Sequence, residues 1–391
     1  MNKELSDFAS RLREMIGDPQ SAIRNPQFST LALQLFALQF QNNPAYQKIC
    51  RTRKATPKVV EHWTQIPAVP TSTFKELEFS CIPTAERAAV FHSSGTTEQK
   101  PSRHFHCPAS LELYETSLWQ WFERCLVPEF GIRNSEFRIS ILTPPPEQAP
   151  HSSLIYMFEA VRQKLGGAKT AFVGKIGTDG AWSLDFDALL VTLNSSLVTR
   201  LPAGALAKVG HSSLLFGTAF SFVHLLDFLV ENNLRFNLPA GSRVMETGGY
   251  KNRSRSMPKA ELHALITERL GVLPETIVCE YGMSELSSQA YDSVASDKWR
   301  VTGKNGASRH PSPVARHFQF PPWARAQIIS PETGREVSEG ETGLIHVFDL
   351  ANVFSVMAIQ TEDLAIRRGD GFELIGRAQL AEPRGCSLMT A

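Results

Sequence analysis

Thr276-Ile277-Val278-Cys279-Glu280-Tyr281-Gly282-Met283-Ser284-Glu285 is the stretch on which the reading of this 391-residue chain rests. Its first half is a short apolar run rich in β-branched residues, the mark of a buried strand. Its second half sets an aromatic ring, a glycine and a carboxylate within five positions. That set can stack on a base, let the backbone approach a phosphate and hold a magnesium ion. The competing reading is a strand-to-helix turn with Ser284 as the helix N-cap.

Three other segments share this design. Glu246-Thr247-Gly248-Gly249-Tyr250 ends the apolar run Val244-Met245, and ligands of open α/β sheets collect at such strand ends. Ser93-Ser94-Gly95-Thr96-Thr97-Glu98-Gln99-Lys100 follows Ala88-Ala89-Val90-Phe91 and offers hydroxyls and backbone N–H groups to a polyphosphate. It lacks the second glycine followed by Lys and Ser or Thr of a Walker loop, and a plain polar turn stays open as its alternative. Thr361-Glu362-Asp363-Leu364 and Gly376-Arg377 flank a hairpin, where a carboxylate can take two ribose hydroxyls and a guanidinium can reach phosphate or ribose. Taken alone they are surface charges.

Around these segments the pattern changes along the chain. Leu5 to Ile16 and Phe28 to Ile49 carry helical periodicity, giving an expected helical lead-in over 1–80. From Ala88, short apolar runs (Phe137–Leu142, Ala171–Val173, Leu214–Phe216, Val244–Glu246, Ile277–Cys279) alternate with amphipathic stretches (Leu111–Leu126, Leu154–Leu165, Phe220–Leu229, Ala260–Leu270). That alternation predicts an α/β nucleotide-binding core over 81–314. Strands at Ala326–Ile329, Leu344–Phe348, Val353–Ile359 and Phe372–Ile375, with turns at Pro331–Gly334 and Arg368–Gly371, predict a β-rich subdomain over 315–377, followed by a tail over 378–391.

Composition sets the outer limits. With 42% hydrophobic and 20% charged residues the chain is an ordinary globular one. Forty Lys plus Arg against 39 Asp plus Glu leave no field for a polyanion, so no nucleic-acid partner is expected. The first eighteen residues do not read as a secretory signal, and the most apolar window, Ser212 to Val230, is broken by His224 and Asp227, short of the about twenty apolar residues of a membrane span. Cys50, Cys81, Cys107, Cys125, Cys279 and Cys386 show none of the short spacings of a zinc or redox site. A cytoplasmic protein is the expectation.

The order of these segments resembles that of the adenylate-forming superfamily of acyl-CoA synthetases, luciferase-like ligases and peptide-synthetase adenylation domains. Ser93 to Lys100 is similar to its phosphate loop, Tyr281 to Glu285 to its Tyr-Gly-x-Thr-Glu motif, and Thr361-x-Asp363 to its ribose motif. Gly376-Arg377 is similar to the element before its domain hinge, and Gly334 to Ile345 contains its Gly-Glu-x-Gly turn. Within the superfamily, Pro67–Phe79, Met245–Arg255, Glu280–Asp292 and Arg384–Leu388 resemble the acyl-protein synthetases of the bacterial luminescence fatty-acid reductase system, and next the phenylacetate-CoA ligases.

The resemblance implies an α/β fold, a large adenylate-forming N-terminal domain with a β-rich subdomain. It implies attack of a carboxylate on the α-phosphate of ATP, giving acyl-AMP and pyrophosphate with Mg2+. Ser93, Ser94, Gly95, Thr96 and Thr97 would then cradle phosphates, and Glu285 would ligate the metal. Tyr281, with the Gly282-Met283-Ser284 turn behind it, would line the adenine pocket with Thr247, Gly248 and Gly249, while Asp363 and Arg377 hold ribose. Glu98 departs from the family's usual glycine. Only 14 residues (391 minus 377) follow Arg377, so the full mobile C-terminal domain and its lysine are expected to be lacking.

In the acyl-protein synthetases a cysteine near the C-terminus accepts the acyl group, and Cys386 in Arg384-Gly385-Cys386-Ser387-Leu388 matches it. The adjacent arginine favours a thiolate. The expected acceptor beyond it is a fatty-acid or acyl-CoA reductase or a carrier protein. Coenzyme A as direct acceptor, and a non-catalytic partner of a reductase, are the alternatives. His151 to Phe158 and His211 to Phe220 are candidate linings of an acyl tunnel, with helix and strand core as their commoner use.

Overall fold

The computed structural model describes residues 2–18, 23, 25–93, 100–127, 138–166, 170–178, 180–193, 212–249, 254–292 and 316–378. In chain order these form α1 (Lys3–Gly17), α2 (Asn25–Asn42), α3 (Pro44–Thr52), β1 (Val69–Pro70), the hairpin β2 (Ala89–His92) and β3 (Arg103–His106), then α4 (Pro108–Leu126). Next come β4 (Arg138–Ile141), α5 (Ser153–Lys164), β5 (Thr170–Phe172), the hairpin β6 (Gly174–Ile176) and β7 (Trp182–Leu184), and α6 (Phe186–Leu193). They are followed by β8 (Ser213–Thr218), α7 (Ala219–Glu231), β9 (Arg243–Thr247), α8 (Lys259–Leu270), β10 (Ile277–Tyr281) and β11 (Ala290–Tyr291). The last four strands are β12 (Ala324–Ile329), β13 (Thr342–Asp349), β14 (Ala358–Arg368) and β15 (Gly371–Arg377).

The central sheet runs β11-β10-β9-β8-β4-β5, parallel throughout except for β11. A parallel strand covered on both faces should be apolar along its length rather than alternating, and β8 and β10 are buried at every position. On one face Leu214, Phe216, Met245 and Val278 pack against Tyr114 and Phe122 of α4 and Phe158 of α5. On the other, Leu215, Val244 and Ile277 meet Phe222 and Leu226 of α7 and Ile266 of α8. Lys259 at the start of α8 pairs with Asp292 at 2.6 Å, and the other Asp292 oxygen accepts the Cys279 N–H, tying α8 to β10.

The second sheet, β1-β14-β13-β12 with β15 on the far half of β14, is antiparallel but for β1, whose Val69 lies beside Ile359 in parallel register. It shares one core with the helical lead-in: Phe8, Phe28, Phe36 and Tyr46 are buried in the same cluster as Ile345, Val347, Ile359 and Phe372. Trp63 sits edge-on between Phe28 and Phe348, at 5.3 and 4.9 Å.

Three expectations are corrected. The helical pattern from Phe28 to Ile49 is two helices, because Asn43 leaves the helix, accepts the Tyr46 N–H and hands the chain to Pro44, whose missing N–H suits a first helical turn. The expected strand Val353–Ile359 starts at Ala358; before it lies a buried turn-rich segment whose backbone is bonded by side chains. Ser284 caps no helix, since the chain after Tyr281 turns and returns as β11.

Candidate active site

The segment Tyr281 to Glu285 leaves the carboxyl end of β10 and is gripped from two sides. Glu285, 4% exposed, accepts the Ser102 hydroxyl at 2.5 Å on one oxygen and the Ser284 hydroxyl at 2.9 Å on the other. Ser102 in turn donates its N–H to the Ser93 hydroxyl at 3.0 Å, and the Ser93 N–H returns to the Ser102 carbonyl at 3.3 Å. Ser93 therefore closes the β2–β3 hairpin at the base of the hydroxyl loop. Ser93 is thus linked to Glu285 through Ser102. Ser94, Gly95, Thr96, Thr97 and Glu98 lie outside the described residues.

His104, on the same inner face of the hairpin, bonds the Ser284 carbonyl through Nδ1 at 2.7 Å. A carbonyl only accepts, so Nδ1 carries the hydrogen. Burial lowers this imidazole to about 4, against the help of the Ser284 bond, which keeps it neutral. Asn352 donates to the Glu285 carbonyl at 2.9 Å. Gly282 is exposed, and a Cβ there would run into the Glu280 carboxylate; Met283 packs on the core shared by the lead-in helices and the second sheet.

The other end of the site is built on the second sheet. Asp363 on β14 and Arg377 on β15 are cross-strand partners, with Arg377 Nε 3.7 Å from the carboxylate. The Tyr281 hydroxyl donates to Asp363 at 2.8 Å, joining the two sheets. Burial raises the Asp363 carboxyl, with Tyr281 and Arg377 opposing. The Tyr281 ring packs against Phe372, Phe318 and Phe320 at 5.3, 5.9 and 6.3 Å, while Arg377 is 80% exposed. Tyr281 to Glu285 is four Cα steps, so the two Cα atoms lie at most about 14 Å apart.

Thr247, at the end of β9, pairs with Glu280 and donates its hydroxyl to the Glu280 carboxylate. Gly248 takes a φ of +68° and, like Gly249, is exposed with open space around a would-be Cβ, which leaves bare backbone beside Tyr281. Burial raises Glu280 to about 7, the Thr247 bond opposing and Glu246 adding. Thus hydrogen bonds join Ser93 through Ser102 to Glu285, and Tyr281 to Asp363 with Arg377 beside it. Thr247 bonds Glu280, Gly248, Gly249 and Gly282 are exposed, and Met283 and Ser284 lie between Tyr281 and Glu285. Tyr250 and Cys386 lie outside the described residues.

Of the tunnel candidates, Ile155, Met157 and Phe158 are core residues of α5, Ser152 caps it, and Tyr156 donates to Glu115. His211 lies outside the described residues, and Thr218 caps α7. Sequence reasoning missed Ser102, His104, Asp349 and Asn352. The alternation of Ser102, His104 and His106 against Arg103 and Phe105 marks an inward face of β3 that could have flagged the first two. Nothing local marks the other two, which act through residues more than sixty positions away.

The chain is similar over 376 residues, at 23% identity, to the "Long-chain-fatty-acid--luciferin-component ligase" of Vibrio harveyi, covering 92% of this chain and 86% of that protein. The protein of the same description from Aliivibrio fischeri is 24% identical over 193 residues, 45% of this chain and 44% of its own. In fold, the chain is similar to crystal structures of 2-hydroxyisobutyryl-CoA ligase. The open conformation with 2-HIB-AMP and CoA gives a TM-score of 0.60, and the postadenylation state with 2-HIB-AMP gives 0.63. Both are 14% identical, with 90% of this chain matched and 70% and 68% of theirs. The family model described as acyl-protein synthetase, LuxE, matches residues 8–391, and the chain belongs to that family.

Proposed function

We propose that the protein activates a fatty acid with ATP and passes the acyl group, through Cys386, to a second protein. In the first step a carboxylate oxygen attacks the α-phosphorus; an O–P bond forms, the bond to the bridging oxygen of the β-phosphate breaks, and pyrophosphate leaves with the electron pair. No proton has to be removed, because the acid is already ionised near neutral pH. The protein's part is placement and charge. Asp363 and Arg377 take the ribose, the Tyr281 ring and the bare Gly248-Gly249 backbone flank the base, and Ser93 with the loop it anchors takes the phosphates.

Glu285 suits a magnesium ion. Its two oxygens each accept one hydroxyl, leaving lone pairs free, and among the described residues no cluster of three His, Cys, Asp or Glu could hold a metal by itself. That is the donor set of a hard ion held by one carboxylate and the substrate's own phosphates. When bound, it would offset phosphate charge.

In the second step the Cys386 thiolate attacks the acyl carbon; the C–S bond forms, the C–O bond to AMP breaks, and AMP departs as the anion. Cys386 lies nine positions beyond Arg377 (386 minus 377), a reach of up to about 30 Å from the end of β15. Transfer to a reductase or carrier protein then regenerates the thiol. Among the described residues no helix is long and apolar enough to cross a membrane.

The convergence of Ser93, Ser102 and Glu285 with Tyr281, Asp363 and Arg377 carries this reading. Its test is acid-dependent exchange of pyrophosphate into ATP, followed by mass spectrometry of the tail peptide. We expect an ATP- and acid-dependent acyl mass on Cys386, absent in Cys386→Ser, which still exchanges pyrophosphate. Acyl transfer that requires added coenzyme A and leaves the tail peptide unmodified overturns the acceptor; no exchange with any fatty acid overturns the activity.

A further inference from the structure

Between β13 and β14 every residue from Asp349 to Met357 is buried, although the segment is irregular up to its last residues. Buried irregular backbone must find partners for each amide, and here they come from elements far apart in sequence. Gln39 on α2 donates to the Asn352 and Val353 carbonyls at 2.8 and 3.0 Å and accepts the Met357 N–H at 2.9 Å. Asn43 donates to the Ser355 carbonyl at 3.3 Å, and Ser355 donates its hydroxyl to the Phe79 carbonyl at 2.7 Å.

The opposite side of the segment faces the Glu285 loop. Asp349 accepts the Ser287 N–H at 2.8 Å and the Ser288 hydroxyl at 2.7 Å, and Asn352 binds the Glu285 and Val356 carbonyls at 2.9 and 2.8 Å. One buried segment is therefore fastened to a lead-in helix on one side and to the backbone of the candidate phosphate-end carboxylate on the other.

We propose that residues 349–357 are a positioning strap for Glu285, and that Gln39, which touches no part of the nucleotide crevice, is a positioning residue acting through Asn352. The inference rests on the ATP-binding reading above. Loss of the Gln39 bonds frees two carbonyls and one N–H of the strap. The segment must then relax toward other donors, and Glu285 moves with it. Outer-shell partners of this kind typically change ligand affinity or activity about 10- to 100-fold.

The test compares Gln39→Met with Phe28→Leu, a substitution in the same core that removes none of the strap's hydrogen bonds, chosen to match its loss of melting temperature. We expect Gln39→Met to raise both the dissociation constant for a fluorescent ATP analogue and the KM for ATP about tenfold, with the KM for the acid unchanged. Phe28→Leu should lower the melting temperature and leave both constants alone. Should Gln39→Met fail to fold, Gln39→Asn keeps an uncharged amide but shortens its reach by one methylene, and is read in the same way. Wild-type analogue affinity in a folded Gln39 variant overturns the strap while leaving the activity intact; a wild-type chain that binds no ATP analogue overturns both.

Discussion

Tyr281 is where the two sheets meet, because its hydroxyl is a direct bridge between the end of β10 and Asp363 on β14. Tyr281→Phe keeps the ring among Phe318, Phe320 and Phe372 and removes only that bridge. A hydrogen bond of this kind contributes about 0.5–1.5 kcal/mol, so the KM for ATP should rise roughly two- to tenfold with the fold intact. An unchanged KM in steady-state kinetics would show that Asp363 needs no such support. Glu280, bonded directly to Thr247, makes a separate statement about pH. Its carboxyl titrates at about 7 in the fold against 4.5 when free, so its contribution to stability is full below about 4.5 and is lost as pH rises through about 7. The span corresponds to about 3 kcal/mol. Glu280→Gln removes this titration, so the stability difference, variant minus wild type, should grow in the variant's favour between pH 5 and pH 8. Parallel denaturation midpoints for the two proteins across that range would contradict it.

At the scale of elements, the break between α2 and α3 has two duties, since the Asn43 side chain both accepts the Tyr46 N–H and donates to the strap carbonyl of Ser355. Loss of a helix cap costs about 1 kcal/mol, and leaving a buried carbonyl without its donor adds about 1–3 kcal/mol. Asn43→Ala should therefore lower the unfolding free energy by about 2–4 kcal/mol in urea titration, more than a cap alone explains. A loss below about 1 kcal/mol would mean that the Ser355 carbonyl finds another donor. The break was not legible in the helical periodicity of Phe28 to Ile49, because apolar spacing continues across it. The signal lay in Asn43-Pro44, a cap followed by a residue without an N–H. The start of β14 was misread for the opposite reason. Val353 to Ile359 is apolar enough for a strand, and only the distant polar side chains of Gln39 and Asn43 reveal that its backbone is bonded otherwise.

Across the whole molecule, the alternation of strands and helices in the α/β core and the place of Thr247 and Tyr281 at the ends of apolar strands followed from local pattern, since strand and turn chemistry is written within a few residues. Ser102, His104 and Asn352 were not legible, because what they do depends on which carbonyl or carboxylate stands opposite them after folding. The common core of the lead-in helices and the second sheet was equally out of reach. Amphipathic helices show that they have an apolar face but not what covers it.

That common core, with Val69 paired beside Ile359, sets a schedule for the newborn chain. Synthesis proceeds at about 5–20 residues per second. The apolar face of α2 thus leaves the ribosome well over ten seconds before the β13–β14 segment to which Gln39 is bonded exists. The parallel sheet in between has nearly all of its partners by the time Tyr291 emerges. Helix α2 is thereby sheltered late, which makes it a natural point of engagement for chaperones during translation.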